Sequence, residues 1–118
     1  MDTNFPEPHI HLPQGPHTHT AILLHGRGSN GPEFAEELFS SSTSTGQNLP
    51  SQFPTWRWVF PTAKNRWNDR FQEELCAWFD AQSLDDITER QESQIPGLQE
   101  SVSYILGILE REIELLVE

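Results

Sequence analysis

A chain of 118 residues and 13.5 kDa suffices for one small domain. Its net charge of −11 is unevenly placed, −1 over residues 1–68 and −10 over residues 69–118, so duplex nucleic acid and anionic membrane surfaces are excluded as expected partners of the second half. No apolar run reaches 18 residues, no basic and apolar leader opens the chain, and the single cysteine, Cys76, cannot build a disulfide framework; the expectation is a cytoplasmic protein with no membrane segment.

Residues 1–16 hold four prolines and few apolar side chains, and are expected to form a flexible, extended lead-in ahead of a domain over residues 17–118. From His17 to His25 the chain turns β-prone and ends in the apolar run Ala21-Ile22-Leu23-Leu24, which suits a buried strand of a parallel sheet. The glycine-rich turn Gly26-Arg27-Gly28-Ser29-Asn30-Gly31 follows. Asn30 with Glu33 three residues on, and Pro32 in the first turn, predict a helix start, with Phe34, Ala35, Leu38 and Phe39 on one face. Ser40 to Gly46 reads as a loop, and Arg57 to Phe60 as a second strand closed by Pro61. Strand, helix, strand predicts a parallel pair with a right-handed crossover.

Ala63 to Asp80 reads as irregular and aromatic-rich, and Ser83 to Gln94 as a polar surface excursion. Ile95, Leu98, Val102, Ile105, Leu109, Ile113 and Val117 then step by three or four. They predict a long helix whose apolar stripe packs on the sheet, with a solvated acidic surface elsewhere. With edge strands and that stripe left uncovered, the isolated chain is expected to be marginally soluble.

The glycine turn admits several readings. Gly26-x-Gly28-x-x-Gly31 between strand and helix has the dinucleotide-binding spacing, but that site also needs an acid closing the second strand, and none occurs between Glu37 and Asp69. A tight turn needing glycine for steric reasons explains the same residues. The histidine pairs His9-x-His11 and His17-x-His19 lack the further ligands that complete a tetrahedral site, so no metal is expected. Glu73 and Glu74 beside Cys76 argue against a reactive thiolate, while a Cys76–His25 pair stays open.

Taken with His25, the turn reads Leu24-His25-Gly26-Arg27-Gly28 and resembles the oxyanion loop of α/β-hydrolases, specifically the acyl-protein thioesterase/carboxylesterase (phospholipase) family. Trp58-Val59-Phe60-Pro61-Thr62-Ala63 is similar to that family's next strand. Ala77-Trp78-Phe79-Asp80 is similar to its tryptophan-aromatic-aspartate segment, and Ile95 to Ser101 to the start of the helix before the nucleophile strand. The resemblance implies an incomplete α/β-hydrolase fold, with a short parallel sheet and flanking helices, lacking the nucleophile strand and everything after it. It implies the Arg27 backbone N–H as one oxyanion donor, Gly26 and Gly28 as residues that let the loop turn, and Trp78 and Phe79 as an apolar substrate wall. The substrate implied is an acyl ester or thioester, and no cofactor is implied.

The triad is another matter. None of the ten serines stands in Gly-x-Ser-x-Gly, and all five histidines fall within the first 25 residues, whereas the family's catalytic histidine comes last. The chain alone is therefore expected to be inactive. The alternatives are a non-catalytic remnant or binding module and, more remotely, a dinucleotide binder.

Overall fold

The structure, a computed structural model, describes residues 5–68, 71–80 and 91–116. Its main sheet has three strands in the order β1-β3-β2: β1 (His9–His11), β2 (His19–Ile22) and β3 (Trp56–Phe60). β2 and β3 run parallel, with Ala21 opposite Trp58 and Ile22 opposite Val59. Helix α1 (Gly31–Phe39) and the single turn α2 (Leu49–Gln52) lie between them in sequence, so the strand-helix-strand unit forms where the sequence placed it.

α1 starts as its cap dictates, the Asn30 side chain accepting the Glu33 N–H at 2.9 Å. Its apolar face packs on β3, where Phe34 and Phe39 meet Phe60, and Phe39 meets Trp58, all edge to face at 5.4–5.7 Å. Gly31 has no alternative at that junction, because a Cβ there would stand 2.3 Å from the Phe60 carbonyl oxygen. That close approach lets the Gly31 N–H reach the Thr62 hydroxyl at 2.9 Å, which ties the start of α1 to the end of β3.

Two expectations about local structure are corrected. The proline-rich segment is not a lead-in outside the domain. His9–His11 pairs antiparallel with β3, and Phe5 is buried, stacked on Tyr104 at 4.1 Å. Pro8 and Pro13 bracket an edge strand, a position where a missing N–H is tolerated. Residues 1–4 lie outside the described residues. The stretch read as irregular contains a second sheet, the antiparallel pair β4 (Asn65–Asn68) and β5 (Glu73–Cys76). Its composition is polar and poor in β-branched residues, so no strand signal marks it. Of the polar excursion, residues 83–90 lie outside the described residues, and Gln91–Gln94 forms a 3₁₀ turn leading into α3.

Helix α3 (Ile95–Leu116) is as long as the periodicity predicted, but its stripe does not face the sheet. The buried positions are Gly97, Ser101, Ile108 and Glu112. Val102 is 54% exposed and Ile113 50%, Ile95, Leu98 and Leu109 are also exposed, and Val117 lies outside the described residues. Polar groups choose the docking face. Glu112 accepts from Arg57 Nε at 2.9 Å and from the Thr20 hydroxyl at 3.0 Å. Ser101 Oγ donates to the Trp78 carbonyl at 2.6 Å, and Glu100 pairs with Lys64 and Arg66. Periodicity reports where apolar residues lie on a helix, and here they lie beside the contact face.

Candidate active site

β2 delivers the chain through Leu23 and Leu24 to His25, one of the most buried polar residues described, at 3% exposure. Four contacts hold it. Its Nε2 accepts the Ala63 N–H at 3.0 Å, its ring lies 4.9 Å from that of Trp78, and its carbonyl accepts the Trp78 indole N–H at 2.9 Å. Its Nδ1 donates to the Gly26 carbonyl at 2.6 Å. A backbone N–H only donates and a carbonyl only accepts, so these two partners fix the tautomer, with the proton on Nδ1.

The loop then turns tightly. The Ser29 N–H closes back on the Gly26 carbonyl at 3.1 Å, and the Gly28 N–H donates to the Cys76 carbonyl at 2.8 Å. Gly28 sits at φ +83°, a conformation costly for any residue with a Cβ. Gly26 carries no such demand, since its φ is not left-handed and a Cβ there would meet nothing within 4 Å; the steric role expected of it falls on Gly28 and Gly31 instead. With both following N–H groups engaged, the Arg27 N–H is left without a hydrogen bond to any described residue. The Arg27 side chain is held away from the loop backbone, paired with Glu73 at 2.7 Å and lying over the Phe71 ring at 5.5 Å.

Cys76 and His25 do meet, with Sγ 3.6 Å from Nε2, but not as nucleophile and base. The thiol donates to the Ala63 carbonyl at 2.8 Å, while the Nε2 lone pair is taken by the Ala63 N–H. Burial pushes the Cys76 thiol above its ordinary value, outweighing the Ala63 hydrogen bond and the Arg66 charge that pull the other way. The cause is desolvation rather than the neighbouring acids that the sequence suggested.

An open cleft of about 660 Å³ borders the loop, lined by Gly28, Ser29, Asn30, Thr62, Lys64 and Cys76 among others. Trp78 borders a second, wholly apolar hollow of about 250 Å³ with Leu24, Leu98, Val102, Ile105 and Leu106. Phe79 is turned to a different task, its backbone lying against Gly97 at the start of α3. At the N-terminus of α1, the N–H groups that would grip a dinucleotide phosphate are engaged, Gly31 by Thr62 and Glu33 by Asn30. The other four histidines pack or bond locally: His9 beside the Phe60 ring, His11 edge-on against Phe39, His19 stacked on Trp56, and His17 on the Thr20 hydroxyl. Among the described residues, no group of three or more histidine, cysteine, aspartate or glutamate side chains is placed to hold a metal ion, and no helix is long and apolar enough to cross a membrane.

Sequence reasoning missed Ala63, whose N–H and carbonyl serve His25 and Cys76, and the Glu73–Phe71 seat of Arg27. Nothing short of the fold brings together residues so far apart in the chain.

A parallel strand-helix-strand unit with a tight histidine-glycine loop at the carboxyl end of its first strand matches the front of an α/β-hydrolase fold. The chain belongs to the phospholipase/carboxylesterase family, whose sequence profile matches residues 6–118. Among solved structures it is similar to Zea mays acyl-protein thioesterase 2, with 29% identity and a TM-score of 0.64 over 88% of this chain. The chain spans 40% of that structure's length. A comparison with curated protein sequences gives no significant match.

Proposed function

We propose that this chain is the oxyanion-hole portion of a serine hydrolase acting on carboxylic esters or thioesters. The observation that carries the reading is the Arg27 N–H, which no described residue engages, while the next two N–H groups, of Gly28 and Ser29, are spoken for. Attack on an acyl carbonyl places negative charge on oxygen, and a fixed N–H aimed at that oxygen stabilises the transition state more than the ground state. Trp78, with the apolar hollow beside it, forms the wall along which an acyl chain lies. The free thiol of Cys76, the only cysteine, supports a reducing, cytoplasmic setting. Because no serine stands in Gly-x-Ser-x-Gly and no histidine follows His25, the 118-residue chain does not turn over substrate by itself.

The test has two parts. The native transcript is sequenced through and beyond the codon for Glu118, with the expectation of an in-frame apolar strand carrying Gly-x-Ser-x-Gly and, later, Asp and His. In that longer product, Arg27→Pro, which deletes the N–H, lowers kcat on a p-nitrophenyl ester by about 10²–10³-fold with circular dichroism unchanged. A stop codon after Glu118, or an Arg27→Pro enzyme of undiminished kcat, overturns the reading and leaves the binding-module alternative.

A further inference from the structure

The direction of the Arg27 N–H is not set by Arg27. In a trans peptide the carbonyl of one residue and the N–H of the next lie in one plane and point opposite ways, so whatever grips the Gly26 carbonyl aims the Arg27 N–H. Two donors grip it: the Ser29 N–H at 3.1 Å, and the His25 Nδ1–H at 2.6 Å. The second is the shorter and comes from a side chain that is itself immobilised. Ala63 donates to the far ring nitrogen, Trp78 lies against the ring, and the Trp78 indole N–H holds the carbonyl of the same residue. Neither Gly26 nor Gly28, which flank Arg27, has a side chain to resist rotation of the loop backbone.

We infer that His25 is the positioning residue for the oxyanion donor, acting through the Gly26 carbonyl. A relay runs from the end of β3 to the loop. The Ala63 N–H occupies Nε2, which confines the imidazole proton to Nδ1. Nδ1–H fixes the Gly26 carbonyl, and the peptide plane carries that constraint to the Arg27 N–H. The opposite tautomer would set two donors against each other at Ala63 and two acceptors against each other at Gly26. His25 therefore works as an oriented donor with no part in proton transfer. The catalytic meaning of this relay rests on the oxyanion reading above, but the relay itself does not.

Nuclear magnetic resonance on the 118-residue chain tests the relay without any turnover. Long-range ¹⁵N correlations of the His25 ring are expected to show the proton on Nδ1; an Nε2–H tautomer overturns the inference whatever the variants do. His25→Phe keeps an aromatic ring against Trp78 and removes the donor. The backbone order parameter at Arg27 is then expected to fall from the rigid range of about 0.85 to below about 0.6, with Val59 in β3 unchanged. His25→Asn, whose amide NH₂ reaches roughly where Nδ1 stood, is expected to keep Arg27 rigid. An unchanged order parameter in His25→Phe, or equal loosening in both variants, refutes the role. Should the tautomer and the rescue hold while Arg27→Pro leaves the longer enzyme's kcat intact, the oxyanion reading fails and the relay stands.

Discussion

The buried ion pair between β3 and α3 offers the sharpest energetic test of how this domain is held together. Glu112 is 5% exposed, and its Oε1 accepts from both Arg57 Nε at 2.9 Å and the Thr20 hydroxyl at 3.0 Å, with Oε2 3.1 Å from the same Arg57 nitrogen. Glu112→Ala removes three acceptor contacts and strands a guanidinium whose side chain is only 17% exposed. Breaking a fully buried pair costs roughly 3–5 kcal/mol, and the residual access of water to Arg57 puts this case at the low end, about 3 kcal/mol. With a urea m-value of about 1.5 kcal/mol/M, the unfolding midpoint falls by about 2 M. Glu112→Gln, which keeps the shape and an acceptor oxygen, costs less. Replacing both partners with apolar residues, Arg57→Met with Glu112→Leu, returns stability to within about 1 kcal/mol of wild type, because the desolvation penalty of both charges disappears together. Urea titrations followed by tryptophan fluorescence across this double-mutant cycle supply the numbers, since Trp56 and Trp58 lie on the strand that carries Arg57. If Glu112→Ala costs as much in the Arg57→Met background as in wild type, the pair contributes no coupling and the account of α3 docking is wrong.

Other outcomes rest on single contacts. Gly31→Ala drives a methyl into the Phe60 carbonyl and is expected to destabilise by about 2 kcal/mol in the same titration; an unchanged midpoint would show that α1 shifts freely along β3. Lys64 and then Arg66, by hydrogen bonds, hold the Glu100 carboxyl below its ordinary value of 4.5, so this group adds stability that is present above that value and lost as pH falls through its depressed pKa in the folded protein. Glu100→Gln should accordingly flatten the acid limb of a stability–pH curve, and an identical limb in both proteins counts against the pairing. The raised Cys76 thiol predicts iodoacetamide alkylation at pH 7 slower than that of free cysteine, accelerating as pH rises beyond the ordinary thiol value of 9.0; labelling at the free rate contradicts the burial. Changing Val102, Leu106 and Leu109 together to glutamine should reduce both dye binding and aggregation, with stability shifted by no more than about 0.5 kcal/mol for each change. A large loss of stability would mean that these residues pack inward.

The parts of the molecule that could be read in advance are those whose cause is local. Asn30, Glu33 and Pro32 set the start of α1 through contacts within four residues, and the apolar runs ending at Leu24 and Phe60 mark β2 and β3, although only β3 is buried, at Trp58, Val59 and Phe60, while β2 is half-buried at most and Leu24 is exposed. The tight turn after His25 was legible in its glycines, of which Gly28 takes a positive φ and Gly31 meets the Phe60 carbonyl. What stayed hidden is set by distant partners. His9–His11 becomes a strand only because β3 offers an edge, and β4 and β5 pair although most of their side chains, asparagine and glutamate above all, are depleted in strands. The docking face of α3 was misjudged because its strongest pattern is apolar, whereas the contacts that choose the face come from Arg57, Thr20, Lys64, Arg66 and the Trp78 carbonyl. The Cys76 and His25 side chains met as the sequence allowed, yet the role of each is decided by Ala63, a residue without a functional group of its own.

The clasps on α3 also bear on how rigidly that helix is indexed. Two greasy surfaces in contact slide and roll at little cost, since dispersion and hydrophobic attraction have no preferred direction. A carboxylate seated on a guanidinium, a hydroxyl on a carbonyl and a second carboxylate between two cations, spread along the helix, lock both its axial setting and its rotation about its own axis. The apolar ridge from Leu98 to Ile113 is thereby held at a fixed bearing relative to β2, like the teeth of a keyed shaft. Its orientation belongs to the polar side of the helix, and a change to Glu100 or Glu112 would turn the ridge without altering one of its residues.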